Sequence, residues 1–248
     1  MHLCTIKDEE KMHNKILEEI MSLANEEQAK HLQRFFKTEK GDYGEGDLFL
    51  GLKVPVSRSV AKKHYDSVSI SDIEKLLQNP HHEVRLVALL LMIFIYEDKI
   101  SSAELKNNLI NLYLKNVQYI NNWDLVDLSC HKILGRFAYE TQNITPLLEL
   151  ANADHLWSKR IAVVSTYYFI KRKDFSLILE LSEKFLHHEH DLMQKAVGWM
   201  LREMGKVDIE PLYTFLDKHH KTMPRTMLRY SIEKMTPEKK NYYMGRLG

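Results

Sequence analysis

The chain has 248 residues, with 35 Lys or Arg against 34 Asp or Glu and a formal net charge of +1 with His neutral. Hydrophobic residues at 44% and charged residues at 28% describe a packed core under a solvated surface, which excludes disorder over the bulk of the chain. Only 9 Gly and 6 Pro leave few turns for many short strands, so an all-β sandwich or barrel is not expected.

In chain order, the segment Met1 to Glu10 has no apolar h-region and no small-residue cleavage site, so no signal peptide is expected there. Cys4 and Cys130 are too few for a disulfide framework or a Cys-rich zinc site, which fits a reducing, cytoplasmic setting. Gly41 to Ser57 holds four of the nine glycines and reads as a structured loop joining the N-terminal helices to the rest. Its Gly-x-x-Gly-x-Gly spacing lacks a βαβ context and is no dinucleotide fingerprint. Val84 to Ile95, broken by Arg85, is the longest apolar stretch and falls well short of the roughly 20 residues that span a bilayer.

From Trp123 to Phe137, with Asn122 as cap, apolar Val126, Cys130, Ile133 and Phe137 recur at offsets of 4, 3 and 4, the stripe of one helix face. Lys159 and Arg160 open a helix whose inward face is Ile161, Val164 and Tyr168, and the neighbours Tyr167 and Tyr168 read as packing residues. The runs His187-His188-Glu189-His190 and His219-His220 lack the i, i+4 spacing of zinc hydrolases, so no metal is expected. Met193, Val197, Met200 and Met204 form another stripe, while Lys195, Trp199 and Arg202 share a different face of that helix. Thr222 is placed to cap a helix with Pro224 in its first positions, and Arg225 and Arg229 lie one turn apart on it.

Similar helix starts recur along the chain at Val84-Arg85, Leu125-Val126 (without the basic residue), Lys159-Arg160, Gln194-Lys195 and Pro224-Arg225. Arg85 to Arg160 is two steps of about 37 residues, a length that fits a pair of antiparallel helices. Such pairs bury their apolar faces only by stacking, which predicts one all-α solenoid over residues 1–248 with a basic, aromatic-bearing concave face. Glu18, Glu19, Glu26 and Glu27 would lie elsewhere. The plainer alternatives are a helical bundle with accidental spacing and solvated charged faces. The three tryptophans, Trp123, Trp157 and Trp199, lie in or beside these helix starts, and one that escapes the core has to be explained by a ligand, a partner or packing between repeats.

Four stretches, Trp123-Asp124-Leu125-Val126-Asp127, Trp157-Ser158-Lys159-Arg160-Ile161-Ala162, Gln194 to Glu203 and Met223 to Tyr230, resemble in order the motifs of the AlkD-like DNA glycosylases. The loop Gly44 to Gly51 with Val54, Pro55 and Arg58 also resembles that DNA alkylation repair family, and the similarity runs from roughly Arg34 to Tyr230. The resemblance implies HEAT-like repeats and excision of cationic N7- and N3-alkylated purines from duplex DNA, without a snug base pocket. By motif position it implies Trp123, Trp199 and Asp127 facing the lesion's sugar and Arg160 holding the backbone. The DNA-binding set expected with Arg160 is Lys159, Lys195, Arg202, Arg225 and Arg229. The sequence departs from the family pattern at Phe35, where a tyrosine is expected.

The chemistry follows from the substrate. A cationic purine is already a good leaving group, so the enzyme has to stabilise the oxocarbenium-like sugar, for which a carboxylate and aromatic faces suffice. Trp123 and Asp127, at i and i+4, are neighbours on one helix face, and Asp127 can also orient or deprotonate the attacking water. Asp124, in the first turn, reads as a partner of the helix dipole. No metal or organic cofactor is expected, nor any membrane, and the protein is expected to be a monomer. The competing expectation is a non-catalytic helical-repeat module that binds damaged or branched DNA, or a protein, through the same face.

Overall fold

The computed structural model describes residues 11–245, so Cys4 and the Met1 to Glu10 segment lie outside the described residues. Among those residues the regular structure is helical apart from one isolated bridge between Leu48 and His81. Two compact units divide the chain, Met1–Leu125 and Val126–Gly248.

The first unit contains α1 (Met12–Ser22), α2 (Glu26–Phe35), α3 (Val54–His64), α4 (Ile70–Leu77), α5 (His82–Glu97), α6 (Ala103–Lys115) and the start of α7 (Trp123–Cys130). Nearly every residue of α5 from Val84 to Ile93 is buried, so this helix is apolar all round and forms the axis on which α3, α4 and α6 pack. Each fully buried Leu, Ile or Val there contributes roughly 1.5–3 kcal/mol. Local signals set the ends of its neighbours. Ser69 and Asp72 form a reciprocal capping box on α4, and the Asn25 side chain accepts from Gln28 N at the start of α2.

The glycine-rich segment is shorter than its composition predicts. Helix α3 begins at Val54, because Pro55 pre-sets the first turn, so Val54 to Ser57 are helical rather than loop. Gly51 has φ +86, and a Cβ there would sit 2.1 Å from the Asn25 carbonyl oxygen, so only glycine allows the segment to lie against the start of α2.

The second unit continues α7 into a π-helical turn, His131–Gly135, and then α8 (Arg136–Glu140). Next come α9 (Thr145–Asn152), α10 (Leu156–Ser165), α11 (Tyr167–Ile170), α12 (Ser176–Lys184), α13 (Asp191–Val207), α14 (Ile209–His219), α15 (Arg225–Ser231) and α16 (Pro237–Tyr243). Helix α10 packs on α9 and α13, and α13 packs on α12, α14 and α15, so paired helices stack as the repeated starts predict. Arg85, Arg160, Lys195 and Arg225 fall within the first five residues of α5, α10, α13 and α15.

Met193, Val197, Met200 and Met204 are fully buried, as are Val126, Cys130 and Ile133. Phe137 is only half-buried and Ala138 takes its place in the core. The π turn holds one residue more than an α turn, which advances the stripe by one position. Two further expectations are corrected. Tyr168 leaves the inward face of α10, because that helix ends at Ser165 and α11 restarts the chain direction. Thr222 does not cap α15; Pro224 holds that position and the Thr222 hydroxyl bonds the His219 carbonyl.

Candidate functional site

In the first unit, Trp123 opens α7 half-buried, with its ring stacked on Phe36 at 5.2 Å between centroids and Nε1 donating to the Tyr43 hydroxyl at 3.3 Å. Phe36 stacks on Phe49, and Phe49 on His82 at 4.6 Å, so the indole ends a column of rings. Phe35, the departure from the family pattern, is 57% exposed and meets the Trp123 ring edge-on at 6.0 Å.

Beneath the column lies a buried ionic network that patterning along the chain did not reveal. Asp47 accepts from Arg85 Nη2 at 2.6 Å, Asn121 at 3.2 Å and Asn122 at 3.3 Å, with His82 Nδ1 at 3.3 Å. His82 Nε2 bonds Asp124 at 2.8 Å. Burial alone would lower the His82 pKa, but the Asp124 charge and the bonds to Asp124 and Asp47 outweigh it and raise the value to about 9, so the ring is an imidazolium. Burial would raise Asp47, yet His82 and Arg85 hold it below the usual carboxylate range. Beside them Glu83, also buried, accepts from the backbone N–H groups of Leu50, Gly51 and Leu52. Asp124 Oδ1 also accepts from Leu125 N at 2.8 Å, so Asp124 serves the helix start as expected and in addition anchors the start of α7 to α5. The available signal was four polar residues, His81 to Glu83 and Arg85, opening the longest apolar run.

In the second unit the central group is Asp127. Its carboxylate is 18% exposed and takes a two-pronged bond from Arg160, Nε to Oδ1 at 2.9 Å and Nη2 to Oδ2 at 2.8 Å. The remaining Arg160 nitrogen, Nη1, donates to the Leu192 carbonyl in the first turn of α13. One buried guanidinium on α10 thus joins α7 to α13 and fixes the carboxylate. Close helix approach makes this reach possible: a Cβ on Gly135 would lie 2.3 Å from the Ser165 carbonyl oxygen. Cys130, one turn from Asp127, is a core residue whose thiol pKa is pushed up by burial and by the Asp127 charge.

Trp199 on α13 is half-buried, its Nε1 donating to Glu203 at 3.2 Å and its ring 6.4 Å from Tyr167. Trp157, by contrast, is 5% exposed and belongs to the core.

The expected basic residues divide into two groups. Arg160 is buried on Asp127, Lys195 pairs with Asp191 at 2.6 Å, and Arg202 is held by Glu203 and Glu233. Their charges are met within the unit, and Arg160, expected on the DNA backbone, here bonds Asp127 and the Leu192 carbonyl. Arg225 and Arg229 are exposed, bonding the Met244 carbonyl and the Thr226 hydroxyl, and Lys159 is half-buried. The histidine runs serve local structure: His190 Nδ1 accepts from Leu192 N to cap α13, and His188 Nδ1 accepts from His190 N. Among the described residues no group of three or more His, Cys, Asp or Glu is placed to hold a metal ion, and no helix is long and apolar enough to cross a membrane.

Comparison with known proteins places these features in context. A family model described as DNA alkylation repair enzyme matches residues 16–235. The fold is similar to a solved structure titled "Predicted DNA alkylation repair enzyme from Enterococcus faecalis", at a TM-score of 0.68 and 18% identity, covering 86% of this chain and 97% of that one. A search of curated proteins finds no match.

Proposed function

This chain belongs to the DNA alkylation repair enzyme family, and we propose that within it the protein is a monofunctional DNA glycosylase for N7- and N3-alkylated purines in duplex DNA. The observation that carries this reading is the Asp127 carboxylate, partly open to solvent yet fixed on both oxygens by buried Arg160. A carboxylate needs no reorganisation if it is already held where positive charge develops, and that is the condition for electrostatic catalysis. The fork from Arg160 holds both oxygens in place, and the carboxylate's negative charge favours the sugar's growing positive charge.

In the proposed reaction the bond from the sugar C1′ to the purine breaks and its electron pair neutralises the cationic ring. Water oxygen bonds C1′, and Asp127 accepts the proton that the water loses. Trp123, one turn ahead on α7, and Trp199 on α13 supply aromatic faces that favour a cationic sugar. The reaction needs no metal or organic cofactor, and the protein acts as a cytoplasmic monomer. Lys159, Arg225 and Arg229 hold phosphates, while Arg160 acts through Asp127 as a positioning residue.

The test is incubation of the pure protein, in EDTA, with a duplex carrying one N7-methylguanine, followed by alkaline cleavage of any abasic site. Strand scission at the lesion is expected. Tight, salt-dependent binding without scission would replace this reading with that of a non-catalytic DNA-binding module.

A further inference from the structure

Tyr167 and Tyr168 are adjacent in sequence but differ in what satisfies them. The Tyr168 hydroxyl donates to Glu140 at 2.9 Å and its ring lies 3.3 Å under the Arg172 guanidinium. Tyr167, half-buried on α11, has ring neighbours only: His131 edge-on at 5.1 Å, Trp199 at 6.4 Å, and the Lys171 ammonium 5.2 Å from its centroid. Among the described residues, nothing bonds its hydroxyl and no carboxylate pairs with Lys171, which is exposed. His131 stands one turn beyond Asp127, and burial together with the Lys132 charge lowers its pKa to about 4, so its ring adds no charge at neutral pH.

A phenol donor on a ring that carries an exposed ammonium 5.2 Å from its centroid and a half-buried indole at 6.4 Å matches an anionic oxygen borne on a sugar. We propose that Tyr167 and Lys171 form a phosphodiester-binding site beside Trp199, contacting one backbone phosphate of the substrate strand. The inference rests on the proposed DNA substrate and adds two residues that the sequence assigned to packing or left unassigned. Tyr167 supplies the directed bond and Lys171 the charge, while the Trp199 ring borders the attached sugar.

The test uses duplexes with a tetrahydrofuran abasic analogue and a single neutral methylphosphonate scanned through the positions flanking it. Parent protein is expected to lose about tenfold in affinity at one position, as for a hydrogen bond to a charged group. In Tyr167→Phe that position should cost about twofold or less, while the other positions behave as in the parent. Lys171→Gln should lower the slope of log K against log salt by about one, and both variants should keep the parent's Tm. Additive losses at every position, or an unchanged slope in Lys171→Gln, overturn the site. If the parent excises N7-methylguanine in that case, the glycosylase reading survives alone. A parent that neither excises nor binds DNA overturns both.

Discussion

Arg160 grips both carboxylate oxygens of Asp127 while its third nitrogen bonds the Leu192 carbonyl, so the residue proposed to face the sugar is locked by a side chain that is itself buried. Replacing Asp127 by Asn removes the charge and turns an amide N–H₂ toward the guanidinium donors. Single-turnover excision of N7-methylguanine should fall at least tenfold, about 1.4 kcal/mol. Folding stability should also fall, by about 2 kcal/mol, because a buried charge loses half its partner. Rates measured well below the variant's Tm separate the two effects, and a full rate there would remove Asp127 from the mechanism.

Arg160→Ala should behave as an internal change. It removes the two-pronged bond to Asp127 and lowers stability by about 3 kcal/mol, and excision falls with it. The salt dependence of DNA binding should stay near the parent's slope, because this guanidinium is already neutralised. A slope reduced by about one unit would mean that Arg160 turns outward to a phosphate when DNA is bound.

Two histidines shape stability against pH in opposite senses. His82 has a folded pKa of about 9 against an ordinary 6.5, so its contribution is complete below pH 6.5 and is lost as pH rises from 6.5 to 9, on the order of 3 kcal/mol. His131 has a folded pKa of about 4, so its contribution is present above pH 6.5 and is lost as pH falls from 6.5 toward 4. Melting temperature should therefore peak near pH 6.5. His82→Gln should remove the decline on the alkaline side and His131→Gln should weaken the one on the acid side, as thermal melts across pH will read.

Asp124→Asn should drop the His82 pKa from about 9 toward 6.5 and destabilise the protein by about 2 kcal/mol at pH 6. The excision rate of the folded molecules should stay close to the parent's. Titration of the His82 ring by NMR gives the first quantity and single-turnover assays the last; a rate loss matching that of Asp127→Asn would merge the two carboxylates into one function.

Helix stripes were legible in the sequence because they depend on near neighbours: Met193 to Met204 and Val126 to Ile133 lie buried as their spacing predicts. Phe137 was misplaced because a π turn leaves no mark in hydropathy. Pairings between distant residues were harder to see. Arg160 and Asp127 stand 33 residues apart, so burial turned an apparent surface cation into a clamp. His82 meets Asp47 and Asp124 from 35 and 42 residues away, and nothing in the local pattern joins the three. Tyr167 and Tyr168 looked alike because the break between α10 and α11 that separates their surroundings follows a run of residues with good helical periodicity.

The π turn at His131–Gly135 also bears on how this protein tolerates change in length. It stores one surplus residue within a helix, so a single-codon deletion there would be absorbed by tightening the turn to α geometry. Both flanks would keep their phase: the stretch up to Cys130, with Asp127 in it, stays as it is, and beyond the turn Ala138 keeps its buried position and Phe137 its half-buried one. The helix thus carries a built-in expansion joint, and the half that holds the carboxylate is insulated from drift in the half that follows.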